Sequence, residues 1–161
     1  MQLDVGAFNI DDMLAGILTL TQQRLRTENV TLDFICPASL GDMVGDERRI
    51  KQVVFHLLSN AIKFSPNGGT VTLNATEGDG ILVIAVTDTG GGIPDEDLAR
   101  VFEKFWRRGN IPLHGTGTGL GLPLVKSFVE LHGGHIDVGS DDSGTQITCY
   151  LPMDVTSPPT P

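Results

Sequence analysis

Cysteine and positive charge are both scarce in this chain, and each scarcity excludes a class of function. Only Cys36 and Cys149 occur among 161 residues, too few and too isolated for a disulfide framework or a metal-site spacing. They read as reduced residues on strand-like segments of a cytosolic protein. Eleven Lys and Arg stand against twenty Asp and Glu, a net charge of −9. With no basic stripe, a nucleic-acid surface is excluded. A polyphosphate is still an acceptable ligand if magnesium and a few local cations offset the field. No apolar run reaches the roughly 20 residues needed to span a bilayer, and no signal peptide is recognisable.

What is present suffices for one domain with a single sizeable core, since 40% of the residues are hydrophobic. Asn9 to Asp12 reads as a helix start, and Ile10, Met13, Leu14, Ile17 and Leu18 recur at helical spacing up to about Arg26. Val30, Leu32, Phe34 and Cys36 alternate as a half-buried strand. Asp46 is a good N-cap for the clearest amphipathic helix, whose apolar file is Ile50, Val53, Val54, Leu57, Leu58, Ala61 and Ile62. Val71 to Ala75 and Ile81 to Val86 read as a hairpin with a central second strand. Residues 94 to 102 form a short helix in this reading. Leu120 to His132 form a longer one stopped by Gly133 and Gly134, and two closing strands follow. The pattern predicts an α+β two-layer sandwich with helices on one face of a mixed, mostly antiparallel sheet. The domain is expected over residues 1–152, and the Pro-rich end, 153–161, as a disordered tail.

Three short signatures carry the chemistry. Asn60 and Lys63 share one helix face; an amide oxygen suits magnesium and an ammonium suits phosphate. A solvated amide and lysine near a helix C-terminus explain the same residues. His56, one turn earlier, can serve as ligand, base or hydrogen-bonded half-buried histidine. Asp88 ends a buried strand, where a fixed carboxylate can accept the amino hydrogens of adenine, and Gly90 and Gly92 allow close backbone approach. A glycine-rich turn capped by Asp88 is the alternative. Gly115, Gly117, Gly119 and Gly121 run into a helix N-terminus and present N–H groups to phosphates, although a flexible loop explains them equally well. Phe102 and Phe105 read as core anchors, and Arg107 and Arg108 suit a terminal phosphate. Residues 107–119 are expected to form a lid that is mobile without nucleotide.

In this order the motifs resemble the catalytic and ATP-binding domain of bacterial sensor histidine kinases. That domain belongs to a wider group sharing the ATP-binding fold of gyrase, the ninety-kilodalton heat-shock chaperone and mismatch-repair MutL. Gln52 to Ser65 is similar to the N box, Asp88 to Pro94 to the G1 box, Phe102 to Arg107 to the F box and Gly117 to Leu122 to the G2 box. Gly144-Thr145 is similar to the final glycine motif, and Leu120 to Gly134 is similar to PAS-containing sensor kinases of alphaproteobacteria.

The resemblance implies transfer of the γ-phosphoryl of ATP to a histidine, with His56, Asn60, Lys63 and Arg107 as the catalytic set and Asn60 and His56 at Mg2+. The nucleotide contacts it implies are Asn60, Lys63, Asp88, Gly90, Gly92, Ile93, Phe105, Arg107, Gly117, Thr118, Gly119, Leu120 and Gly121. The family usually has Asn at the position of His56, and a small residue at that of Pro123, which the first turn of a helix tolerates.

None of His56, His114, His132 or His135 stands in the family's phosphoacceptor context. The implied partners are therefore a dimerisation domain carrying that histidine, preceding Met1 in a homodimeric parent, and a response regulator or phosphorelay protein. This piece is expected to be monomeric and cytoplasmic. The competing readings are a degenerate signalling domain that binds ATP or proteins without phosphotransfer, favoured by His56, and a related ATP hydrolase or serine kinase. The hydrolase would carry Glu near His56.

Overall fold

The computed structural model describes residues 2–90, 121–141 and 144–156. The elements in chain order are β1 (Gly6–Asn9), α1 (Ile10–Glu28), β2 (Thr31–Ile35), β3 (Asp42–Gly45), α2 (Glu47–Phe64), β4 (Thr70–Gly78), β5 (Ile81–Asp88), α3 (Gly121–Leu131), β6 (His135–Asp141) and β7 (Gly144–Pro152). The short helix expected over 94–102 and the lid expected over 107–119 lie outside the described residues.

Both long helices begin where the sequence signals them. The Asn9 side chain accepts the Asp12 N–H at 2.8 Å, and Asn29 closes α1 in the left-handed conformation. Asp46 caps α2 by accepting the Arg49 N–H. The seven apolar positions of α2 are all buried. Spacings of three and four put them on one stripe, and burying each large aliphatic side chain contributes about 1.5–3 kcal/mol before entropy is counted.

Five strands form the main sheet in the order β2-β4-β5-β7-β6, with β2 parallel to β4 and every other pair antiparallel. α2 lies between α1 and α3 and packs over β4 and β5. The helices thus cover one face, as the α+β sandwich requires. Leu73, Leu82, Ile84, Cys149 and Leu151 point into the layer between and are fully buried. Burial pushes the Cys149 thiol up to about 12, so it stays protonated and inert.

Three features differ from the sequence reading. Burial along the expected 30–36 strand is uneven: Val30, just before β2, is 7% exposed and Phe34 42%, while Leu32 and Cys36 are partly buried against the core. β2 is an outer strand, paired only to β4. β1 and β3 form a separate two-stranded sheet, four residues each, too short to show a periodicity. Finally, residues 153–155 belong to the folded unit and not to a tail. Met153 donates to the Gly80 carbonyl and its own carbonyl accepts the Val44 N–H, while Val155 donates to the Val44 carbonyl. Residues 157–161 lie outside the described part.

Candidate functional site

Asp88 is the last residue of β5, the middle strand of the sheet. It continues the file Leu82, Ile84, Val86, whose side chains are buried beneath the helices, because alternate residues of a strand share a face. Its carboxylate is therefore delivered to the edge of the helix layer and is only 4% exposed. The Gly90 N–H donates to Oδ1 at 2.9 Å, which fixes the carboxylate's orientation.

Two glycines make room for this strand end. A Cβ on Gly144, whose φ is +147°, would stand 1.8 Å from the Asp88 carbonyl oxygen. A Cβ on Gly69 would meet Thr89 Oγ1 at 2.8 Å, the hydroxyl that also accepts the Thr70 N–H at 3.1 Å. Thr145 pairs with Asp88 across the β5–β7 ladder and is 2% exposed. Its hydroxyl lies 3.2 Å from the Ser140 hydroxyl. Thr145 was not among the site residues expected from the sequence. The Gly144-Thr145 dipeptide was its only signal, and the strand pairing that brings it to Asp88 spans most of the C-terminal half.

His56, Asn60 and Lys63 are half-buried on one side of α2, together with Arg49 two turns before His56. Arg49 identifies what that side faces, because its guanidinium lies 4.9 Å from the Phe128 ring centre on α3. α3 runs antiparallel to α2, since His132 at its end bonds Asp46 at the start of α2. The other end of α3, Gly121, thus comes toward the turn carrying His56 and Asn60 and brings the positive end of the helix dipole toward it.

Burial holds His56 below its ordinary pKa. The ring is neutral at pH 7 and keeps a lone pair. Burial lowers the Lys63 pKa as well, and the charge of Arg24 on α1 adds to the effect. Among the described residues no three His, Cys, Asp or Glu side chains cluster as a metal site. Asn60 and His56 offer one amide oxygen and one imidazole. The amide oxygen suits a hard ion such as magnesium, which takes its remaining ligands from phosphates and water, whereas an imidazole nitrogen suits softer ions.

The structure therefore places Asp88 and Gly90 at one strand end, His56, Asn60 and Lys63 on one helix side, and Gly121 at the start of α3. Gly92, Ile93, Phe105, Arg107, Gly117, Thr118, Gly119 and Leu120 lie outside the described residues.

The fold is an α+β sandwich with a buried carboxylate at the end of its central strand. Residues 45–155 match the model of the histidine kinase-, DNA gyrase B- and HSP90-like ATPase family, and the chain belongs to that family. Histidine protein kinase DivJ of Caulobacter vibrioides is 38% identical over 153 residues, covering 94% of this chain and 26% of DivJ. The chain thus spans about a quarter of that relative's length. Full-length ShkA in complex with AMPPNP superposes with a TM-score of 0.83 at 26% identity, covering 99% of this chain and 33% of ShkA. Histidine kinase ThkA in complex with the response regulator TrrA gives a TM-score of 0.83 at 22% identity, covering 97% and 44%. At that identity the likeness shows the fold alone. The chain is an ATP-binding catalytic domain of the histidine-kinase type.

Proposed function

We propose that this domain binds ATP with magnesium and passes the γ-phosphoryl to a histidine on a dimerisation domain outside the chain. The phosphoryl would then go on to a response regulator. The observation that carries this is Asp88. A carboxylate at the end of the central strand, 4% exposed, oriented by the Gly90 N–H and with Gly144 beside its backbone carbonyl, is a fixed acceptor of the kind that recognises a ligand's hydrogen-bond donor. Adenine supplies such a donor in its amino group.

In this reading Asp88 accepts the amino hydrogens of the base, with Gly90, Gly92 and Ile93 as further base-side contacts. Asn60 and His56 hold magnesium, and Lys63 and Arg107 neutralise the phosphates. Phe105, Gly117, Thr118, Gly119, Leu120 and Gly121 complete the nucleotide contacts of this reading. Magnesium supplies charge neutralisation between the phosphates when bound. The protein's own contribution is position, since phosphoryl transfer leaves it little covalent chemistry to perform.

ThkA, which shares the fold, is seen in complex with a response regulator, the class of partner proposed for this chain. The acidic balance and the lack of a basic stripe speak against nucleic acid. Action on the cytoplasmic side belongs to the same reading; no described helix is long and apolar enough to cross a membrane. A monomeric domain within a homodimeric parent completes the reading. The test is calorimetric titration of the protein with AMPPNP and magnesium. Wild type is expected to bind and Asp88→Asn to lose detectable binding; equal affinity of the two proteins refutes the assignment of Asp88.

A further inference from the structure

His132, the residue after α3, is 2% exposed and has both ring nitrogens committed. Nε2 lies 3.0 Å from the Asp46 backbone nitrogen, which can only donate, so Nε2 is the acceptor. The proton therefore sits on Nδ1 and is donated to the Phe128 carbonyl at 2.8 Å. One bond stays within the last turn of α3. The other crosses to the first turn of α2, 86 residues away in sequence.

The surroundings are built around this ring. A Cβ on Gly45 would lie 3.2 Å from its Cδ2 and 3.4 Å from its Nε2. Asp46, whose N–H the ring accepts, caps α2 through its carboxylate and also accepts the Asp4 N–H at 2.8 Å. Arg49 ion-pairs with Asp46 at 3.2 Å and places its guanidinium over Phe128. The start of α2 and the end of α3 form one polar joint.

We infer that His132 is a positioning residue for the nucleotide site, acting through the α2–α3 pair. The inference rests on the proposed ATP site. The apolar contacts between the helices, with Val125 and Val129 fully buried, hold them together but are non-directional. The Asp46–His132 hydrogen bond is directional and sets the axial register of α3 against α2. Asn60 lies fourteen residues, about 21 Å of helix, from that joint. Gly121 lies at the opposite end of α3. A helix is stiff over this length, so slippage at His132 reappears at Gly121 as displacement relative to Asn60. The phosphate side of the pocket would feel it, whereas Asp88, on β5, would not.

The experiment compares the affinities of the 161-residue protein for AMPPNP with magnesium and for adenosine alone, by calorimetry and NMR titration. H132Q keeps a polar group near the position of Nε2, and its amide oxygen can still accept the Asp46 N–H. H132N reaches only the position of Nδ1 and leaves that N–H without an acceptor. H132N is expected to lose about tenfold or more in AMPPNP affinity while adenosine binding stays within about twofold. H132Q is expected to retain both.

Ile17→Ala, on α1, controls for general destabilisation. If H132N does not fold, Gly45→Ala crowds the ring without removing it and is expected to show the same selective loss, smaller in size. Equal losses for both ligands, equal losses in H132Q and H132N, or a matching pattern in Ile17→Ala would overturn the positioning role. Failure of wild type to bind AMPPNP would instead overturn the ATP site itself, and this inference with it.

Discussion

A histidine in free solution titrates near 6.5, but His56 is half covered on α2 and burial holds its pKa lower. The unfolded chain therefore takes up the proton first as pH falls. The stability linked to this ring is complete above the ordinary value and is lost as pH drops from there through the folded value. Urea midpoints at pH 7.5 and pH 5.5 test this. Wild type is expected to lose more stability between the two than His56→Asn does, by about 0.5 kcal/mol, because solvent still screens a half-covered ring. An equal loss in both proteins would show that His56 is not linked to folding. The sequence shows that His56 and Asn60 share a helix side. It does not show that Arg49, on the same side, reaches an aromatic ring on α3, because that contact joins segments far apart in the chain.

Elements were legible in proportion to how much of their burial is periodic. α2 declares itself because seven inward positions at spacings of three and four leave no other face for the core. β2 has the same clear alternation but is unevenly covered, since position in the sheet, and not pattern, decides how much of a strand is covered. β1 and β3 offered no pattern.

Asp46 ties the start of α2 to two other parts, Asp4 and the end of α3, and holds Arg49 within the helix. Burial pushes its pKa up, but the Asp4 and Arg49 N–H groups and the charge of Arg49 outweigh this and leave it below the ordinary carboxylate value. Its stabilisation is present above about pH 3.8 and is lost as pH falls through the lower folded value. Asp46→Ala is expected to cost about 2 kcal/mol at pH 7, the upper end for an N-cap, measured by urea denaturation. The gap from wild type should narrow as pH approaches 3, and a gap that does not change with pH would assign the loss to packing.

For the whole molecule, the sheet order matters more than any single strand. Placing β5 between β4 and β7 makes Asp88 a buried residue with Thr145 as its pair and Gly144 beside its carbonyl. The same closure draws the chain after β7 back to β3, where Met153 and Val155 bracket Val44. Removing the chain after Pro152 is expected to cost about 1–3 kcal/mol for the lost backbone bonds, lowering Tm by roughly 2–4 °C per kcal/mol. A thermal melt of the shortened protein within 1 °C of the full chain, roughly the change expected for less than 0.5 kcal/mol, would show that the pairing adds nothing.

By itself the sequence determined the helices, the hairpin, the α+β class and the ordered boxes that mark an ATP site. Each of these is written in spacings of a few residues, where local geometry translates directly into pattern. Only the tertiary structure decided that Thr145 stands beside Asp88, that Phe34 faces water and that His132 ties α3 to α2. Strand order and helix packing bring together residues separated by tens of positions. The energies that choose among such pairings are sums over the whole core, so no short stretch of sequence records them.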